Sequence, residues 1–175
     1  ESGDYWVRGR PVRDRIFLSG GVAAELGIVE DGPLACTIEA RLAMVLPVRA
    51  TYAGDGREDE TRPVSITTRY RLVRGERFLR ITTTIDNTVE DHVLRTLFPT
   101  GIESNTVHAE TPFDVVERAI PMPETRDWRE PYEPTQPQRS FVDISNGDCG
   151  VALLNRGLPQ YEAVDDQTRT IALTL

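Results

Sequence analysis

The chain has 175 residues, of which 39% are hydrophobic and 27% are charged, and its formal net charge is −8 at pH 7. A chain of this length suits one domain, which buries roughly 70% of the surface that its unfolded form exposes. The negative charge argues against a nucleic-acid partner, because such proteins need a basic stripe, and no apolar run approaches the ~20 residues that span a bilayer. We therefore expect a soluble globular protein with neither a nucleic-acid nor a membrane partner.

Residues 1–31 form an irregular lead-in by their sequence, with a short helix indicated over residues 22–30 despite Gly27. The chain begins at Glu1 without a charged leader and stops inside an apolar strand pattern, so we expect the natural polypeptide to continue. The two cysteines, Cys36 and Cys149, have no metal-binding spacing and are flanked by apolar or small residues. They are predicted to be buried thiols, and the scarcity of cysteine favours a cytoplasmic location.

Period-two alternation is clearest in two neighbouring segments, residues 66–72 and 79–85. In each segment, aliphatic, threonine or tyrosine residues alternate with arginine and threonine. The short link contains Gly75, a residue that accepts positive φ, so the two segments are predicted to form an antiparallel hairpin with one wet and one dry face.

Further strands are indicated along the rest of the chain, separated by turn-rich stretches, and this spacing predicts an all-β sandwich with few or no helices. Two stretches look like excursions from it: residues 54–60 are acidic and glycine-rich, and residues 121–137 hold five prolines, which cannot donate to a central ladder. The predicted strands cover residues 35–50, 92–98, 106–118, 138–145, 151–155 and 168–175.

Candidate catalytic groups are few. The chain has two histidines, His92 and His108. A strand would place His108 and Glu110 on one face, where a carboxylate could orient an imidazole, although a solvated strand surface explains the same pattern. Two scattered histidines are a poor start for the three or four ligands of a metal site. The sequence therefore predicts no metal site in this chain.

Glycoside hydrolysis needs a pair of facing carboxylates, and the 28 acidic residues make accidental pairs easy to find. Asp165 and Asp166 fall in a predicted hairpin turn, and residues 55–60 resemble a solvated loop. The chain has no nucleophile-elbow motif, no P-loop and no dinucleotide-binding fingerprint. From the residues alone we predict a β-sandwich without catalytic residues.

A set of short motifs, in a fixed order, resembles glycoside hydrolase family 38, the α-mannosidase-like enzymes. The resemblance covers most of the chain from Gly32 onward. The motifs are Asp86-Asn87, Asp91-His92-Val93-Leu94-Arg95, Leu97-Phe98-Pro99-Thr100-Gly101, residues 111–118, Ser140-Phe141-Val142-Asp143 and residues 150–162.

The resemblance implies that the catalytic site lies elsewhere in a longer polypeptide. Family members carry a retaining mannosidase site in an amino-terminal β/α barrel, with a divalent metal, zinc or calcium. The H-x-D ligand motif of that barrel is absent from this sequence. The chain instead resembles the antiparallel β-supersandwich after the barrel, which is similar to that of galactose mutarotases. We expect a single domain over residues 1–175 that is inactive alone and needs no cofactor of its own.

In such an enzyme, the β domain packs against the barrel and helps wall the mannoside cleft. The resemblance and a predicted turn at a strand end make Asn155, Arg156 and Gly157 candidate substrate contacts. The barrel of the same polypeptide and a carbohydrate, an α-mannoside, are the expected partners. Trp128 and Tyr132 are candidates for the docking surface, although packing of Trp128 in the core is an equal alternative.

Two other functions stay open. An autonomous carbohydrate-binding module would show exposed aromatic residues on a sheet face, which an aromatic content of 7% disfavours. A mutarotase-like sugar enzyme would need His92 or His108 as a general acid opposite a carboxylate in one cleft.

Overall fold

The computed structural model describes residue 13, residues 15–129 and residues 132–175. Contacts divide the chain into two compact units, one ending at His92 and the other beginning at Val93. Regular structure in the described residues consists of twelve β-strands and one 3₁₀ turn, Ser19–Gly21, without an α-helix. This confirms the all-β prediction.

The first unit is built on one antiparallel sheet of four strands in sequential order. Its strands are β1 (Glu25–Asp31), β2 (Ala35–Pro47), β3 (Thr61–Val73) and β4 (Arg80–Asp86). Strands β2 and β3 pair without a register break from Ala35 opposite Val73 to Pro47 opposite Thr61. The predicted hairpin of β3 and β4 is confirmed, and Gly75 in its link has a φ of +89°, a value that other residues reach only with strain.

One face of this sheet is mostly apolar, with Thr68 and Thr83 paired across β3 and β4 near its middle, and it is buried at only one end. At that end, Met44, Leu46, Val64 and Val89 form a buried cluster. At the other end, the apolar side chains stay exposed, so the predicted dry face is dry over only part of its length. The opposite face carries threonine, arginine and glutamate residues, as the alternation predicts.

The second unit is a sandwich of two four-stranded antiparallel sheets. Its strands are β5 (Arg95–Phe98), β6 (Thr106–Thr111), β7 (Asp114–Ala119), β8 (Gln136–Pro137), β9 (Phe141–Ser145), β10 (Gly150–Leu154), β11 (Gln160–Ala163) and β12 (Ile171–Thr174). One sheet has the order β10-β9-β6-β7 and the other the order β5-β12-β11-β8. Side chains from both sheets meet in one buried cluster, which includes Val142, Ile144, Tyr161 and Ile171.

One helix prediction and one strand prediction are wrong. Residues 22–30 are not helical, because the segment from Glu25 pairs with β2 as β1, and the sheet satisfies its backbone groups better than a short helix interrupted by Gly27 would. The predicted irregular lead-in, residues 1–31, therefore ends in a regular strand, β1. Residues 1–12 and 14 lie outside the described residues. The single strand predicted over residues 106–118 is a hairpin that turns at Pro112 and Phe113.

The prediction of two buried thiols is also wrong. Cys36 is half-buried on β2, on the apolar face of the first sheet. Cys149 is exposed in the turn before β10, where its backbone N–H donates a 3.2 Å hydrogen bond to Oδ1 of Asn146. Small or apolar neighbours in the sequence do not bury a residue that lies in a turn.

Candidate functional site

The three predicted contact residues form the turn between β10 and β11. The Asn155 backbone N–H donates to the Ser140 carbonyl at 2.8 Å. Its side-chain Nδ2 donates to Oε1 of Gln138 at 2.8 Å, and its Oδ1 accepts the Leu158 N–H at 3.1 Å. Gly157 has a φ of +88°, which the turn requires and which glycine adopts without strain. Asn155 and Gly157 thus build the turn.

Of the three residues, Arg156 is the one whose side chain does not hold the turn together and projects into solvent. Gln138 is buried, and its Nε2 donates to the Leu158 carbonyl at 2.7 Å, so the base of the turn is fixed from both sides. The Arg156 side chain is exposed and makes no hydrogen bond or ion pair with the rest of the described chain. Asn155 therefore acts as a positioning residue, and contact with substrate by these residues stays a prediction.

His108 lies on the outward face of β6, directly opposite Glu117 of β7 and Asp143 of β9. Its neighbours Val107 and Ala109 are buried, so the alternation places His108 and Glu110 on one face as predicted. The Glu110 carboxylate, however, accepts a hydrogen bond from the Ser140 hydroxyl. The structure therefore pairs Glu110 with Ser140.

His92 belongs to the first unit and His108 to the second, so the two histidines do not share a unit. Nδ1 of His92 is buried without a hydrogen-bond partner among the described residues. A mutarotase-like mechanism requires a histidine and a carboxylate in one cleft. Neither histidine lines the depression described below.

The acidic pair Asp165 and Asp166 has a structural role in the turn between β11 and β12. Burial alone would raise the pKa of Asp166, but hydrogen bonds from Thr170 and Thr168 outweigh it and hold the pKa below its usual value. The backbone N–H groups of Thr168 and Thr170 each donate a hydrogen bond of 3.0 Å to Oδ1 of Asp166. The Asp165 carboxylate pairs with Arg169 in the same turn. These carboxylates stabilise the turn and do not form a facing pair.

A polar depression of about 250 Å³ lies on the wet face of the first sheet. Glu39 is at its base and is only 3% exposed. Arg69 donates from Nε to Glu39 at 2.6 Å, and Arg41 also pairs with this carboxylate. The hydrogen bond from Arg69 holds the pKa of Glu39 below its usual value. The lining residues are Glu39, Arg41, Thr67, Arg69, Thr82 and Thr84.

Within residues 13, 15–129 and 132–175, histidine, cysteine and carboxylate side chains never gather in a group of three or more that could hold a metal ion. In the described part of the chain, no helix has the length and apolar character that a membrane crossing requires.

The proline-rich excursion carries an aromatic pair. Trp128 is 55% exposed, so the alternative that it packs in the core is wrong. Its ring contacts that of Tyr132 edge to face, with the centroids 6.3 Å apart and an angle of 70° between the planes. Residues 130 and 131, which join the two, lie outside the described residues.

The sequence interpretation missed one unusual residue, Phe113. It occupies the tip of the β6–β7 hairpin, is fully exposed, and has a φ of +76°. Pro112 was the available signal, because proline within a strand pattern marks an edge or a turn. A second missed feature is the pair of Arg95 and Glu162, half-buried on the other sheet of the unit, where Arg95 also donates to Oγ1 of Thr135 at 2.8 Å.

Comparisons with known proteins agree with the fold. A relative in Halalkalibacterium halodurans, described as a putative mannosylglycerate hydrolase, is 30% identical over 168 residues, covering 87% of this chain and 18% of its own. The solved structure of an α-mannosidase from Enterococcus faecalis V583 matches 99% of this chain with a TM-score of 0.89 and 30% identity. A second structure from Enterococcus faecalis, a protein in glycosyl hydrolase family 38, has a TM-score of 0.85, 28% identity and the same coverage.

The present chain spans about a fifth of each relative, 18% of the hydrolase and 21% of both solved chains. The family model described as the glycosyl hydrolases family 38 C-terminal domain matches residues 1–175. Together with the three antiparallel sheets, this match establishes that the chain belongs to the C-terminal domain family of the family 38 glycosyl hydrolases.

Proposed function

We propose that this chain is the non-catalytic β domain of a family 38 α-mannosidase-like hydrolase. In this proposal a longer polypeptide, called the parent polypeptide below, contains the chain and a catalytic barrel with a divalent metal, zinc or calcium. The β domain packs against the barrel and helps wall the mannoside cleft. The support is that each matched relative is about five times the length of this chain.

The observation that carries the proposal is a row of exposed apolar side chains across all four strands of the first sheet. Ile28 lies opposite Ile38, Ile38 opposite Tyr70, and Tyr70 opposite Ile81. Their exposed fractions are 66%, 43%, 39% and 42%. We call this row, together with Leu26, Cys36 and Leu72 on the same face, the apolar row.

An exposed contiguous apolar surface of this kind indicates a contact with another body of protein. Burying a fully exposed large aliphatic side chain is worth about 1.5–3 kcal/mol, so covering the exposed part of each side chain in the row would supply a share of that energy for docking. The row lies on the same face as the buried cluster of Met44 and Val64, separated from it by the position of Thr68 and Thr83. A protein surface laid on it would enlarge the buried apolar area of this face.

The chemistry of glycoside hydrolysis explains why a β domain would border the sugar cleft. A barrel that stabilises a glycosyl cation needs a cleft without bulk water, because fixed dipoles act more strongly in a low dielectric. A rigid sandwich docked over the rim supplies such a boundary. Arg156, exposed at the end of the second unit, is the side chain proposed to reach the mannoside from it.

The alternatives have less support. A carbohydrate-binding module would present several aromatic rings on a sheet face, whereas Tyr70 is the single aromatic residue in the apolar row. A mutarotase-like enzyme requires a cleft that joins a histidine to a carboxylate, and His108 lies on an outward sheet face.

The test is hydrolysis of an aryl α-mannoside by the purified chain and by the parent polypeptide, each with and without added zinc or calcium. We expect turnover by the parent polypeptide and none by the chain. Turnover by the purified chain would contradict the proposal, because it would require a catalytic site within these residues. Absence of turnover by the parent under all conditions would remove the mannosidase assignment.

A further inference from the structure

Phe113 stands in a turn that is unfavourable for its residue type. Thr111 and Asp114 are the last cross-strand pair of the β6–β7 hairpin, so the loop consists of Pro112 and Phe113. The proline ring fixes φ of Pro112 near −65°, which excludes the mirror-image turns that short hairpins prefer. With a φ of +76° at Phe113, the loop matches a type II turn, whose third position favours glycine.

The turn does not need the aromatic ring. The Thr111 hydroxyl donates to the Asp114 carbonyl at 3.2 Å, and the Val115 N–H donates to Oδ1 of Asp114 at 2.7 Å. Both bonds would form with glycine at position 113. The ring is fully exposed and so contributes nothing to the core. A bulky residue held in a left-handed conformation with its ring in water is a cost that function, rather than folding, explains.

In the sheet β10-β9-β6-β7, the tip of the β6–β7 hairpin lies at the same end as the turn after β10, which carries Arg156. The Arg139 N–H donates to the Glu110 carbonyl at 2.8 Å, beside Thr111, and the Asn155 N–H donates to the Ser140 carbonyl at 2.8 Å. Two strand spacings, about 10 Å, therefore separate the hairpin β6–β7 from the end of β10. A pyranose with one neighbouring group spans such a distance.

The charged side chains at this end are available to a ligand. Arg139 and Arg156 are both exposed, and neither guanidinium makes a hydrogen bond or ion pair with other described residues. An aromatic plane bordered by planar hydrogen-bond donors suits a sugar, because the C–H face of a pyranose stacks on a ring while its hydroxyl groups bind to polar side chains.

We propose that Phe113 is a carbohydrate contact, whose ring stacks on a pyranose of the α-mannoside while Arg156 binds its hydroxyl groups. This inference rests on the proposed function, since it places the end of the second unit at the sugar cleft. The competing occupant is protein: Leu154, at the same end, is 75% exposed and could join Phe113 in a docking contact.

Replacement of Phe113 by glycine separates these occupants, because it removes the strain and the ring together. In the parent polypeptide we expect Phe113→Gly to raise the KM for an α-mannoside about tenfold, as loss of an aromatic contact does, with a smaller change in kcat. The melting temperature of the 175-residue chain should rise by about 2–4 °C. Phe113→Trp, which keeps an aromatic plane, should retain a KM near that of the wild type.

Tyr52 supplies the matched control. It is equally exposed, lies in the first unit, and has no positive φ. Tyr52→Ala should change neither KM nor melting temperature. An unchanged KM in Phe113→Gly would overturn the inference, and so would a lower melting temperature of the parent polypeptide, which would show that the ring packs against protein. Failure of the proposed function is distinguishable, because the wild-type parent would then not turn over the mannoside at all.

Discussion

Ile38 on β2 lies directly opposite Tyr70 on β3, and both side chains are exposed although they continue the buried face of the same sheet. Cross-strand neighbours on one face make contact along their length, so the pair forms a continuous apolar surface. Ile28 and Ile81 extend this surface to the two outer strands. The relationship explains why the isolated chain should be prone to bind other apolar molecules.

This surface predicts dye binding by the isolated chain. The combined change Ile38→Thr and Tyr70→Thr should lower the fluorescence of a bound hydrophobic dye severalfold, because it removes the centre of the apolar row. Threonine is common in strands, so the sheet itself should be retained. The control is Thr67→Ser on the opposite face. Equal dye fluorescence in the double variant and the wild type would show that the dye binds elsewhere.

The core of the second unit gives a stability prediction. Ile144 is completely buried between the two sheets. Ile144→Ala should lower the free energy of unfolding by about 2–5 kcal/mol, because it leaves a cavity in a packed core. Leu154→Ala, on an exposed side chain of the neighbouring strand, should change it by about 0.5 kcal/mol or less. Urea denaturation of both variants checks the contrast, and similar values would mean that this sandwich is packed differently.

The turn between β10 and β11 predicts different roles for two adjacent residues. Asn155→Ala would leave Oε1 of the buried Gln138 and the Leu158 N–H unpaired, which should cost about 1–3 kcal/mol of unfolding free energy. Arg156→Ala should cost about 0.5 kcal/mol or less, while raising the KM of the parent polypeptide. The order would be reversed if Asn155 were the contact residue and Arg156 the residue that holds the turn.

The decrease in the free energy of unfolding at acid pH depends in part on Glu30. Hydrogen bonds from Arg71, and then from Thr37, lower the pKa of Glu30 from 4.5 to about 2. A carboxylate whose pKa is depressed in the folded state contributes stability that is fully present above its unfolded value and is lost as the pH falls. The contribution of Glu30 should therefore disappear between pH 4.5 and about pH 2.

Urea unfolding between pH 2 and pH 6, compared for the wild type and Glu30→Gln, measures this contribution. The difference in unfolding free energy between the two should be largest near pH 6 and should shrink as the pH approaches 2. A difference that is constant over this range would show that Glu30 does not titrate with folding. Arg71→Gln should also flatten the profile, because Arg71 donates both guanidinium hydrogen bonds to Glu30.

Local pattern in the sequence was enough to predict the β3–β4 hairpin, because alternation and Gly75 specify both strands and their link. It also placed His108 and Glu110 on one face, since that depends on period two alone. Strand β1 escaped prediction because its pairing with β2, rather than its own propensity, decides its conformation. The partner of Glu110, Ser140, is 30 residues away, and no local signal could identify it.

Three further features could not be predicted from the sequence, for related reasons. Alternation continued through Pro112, so residues 106–118 read as one strand and the strained Phe113 passed unnoticed. Cys149 is exposed because it lies in a turn, whereas its small neighbours in the sequence had suggested burial. Asn155, Arg156 and Gly157 were identified together, whereas the division of labour among them follows from the buried Gln138, 17 residues earlier.

The central claim, that the apolar row of the first sheet docks against the barrel, can be tested through the two thiols. Cys36 lies on the same face as Ile38 and opposite Leu72, while Cys149 lies in an exposed turn of the second unit and serves as an internal control. The measurement is the rate of alkylation at each cysteine, followed by mass spectrometry, in the isolated chain and in the parent polypeptide. We predict that Cys36 reacts severalfold more slowly in the parent while the rate at Cys149 is unchanged. Equal reactivity of Cys36 in both proteins would contradict docking through this face.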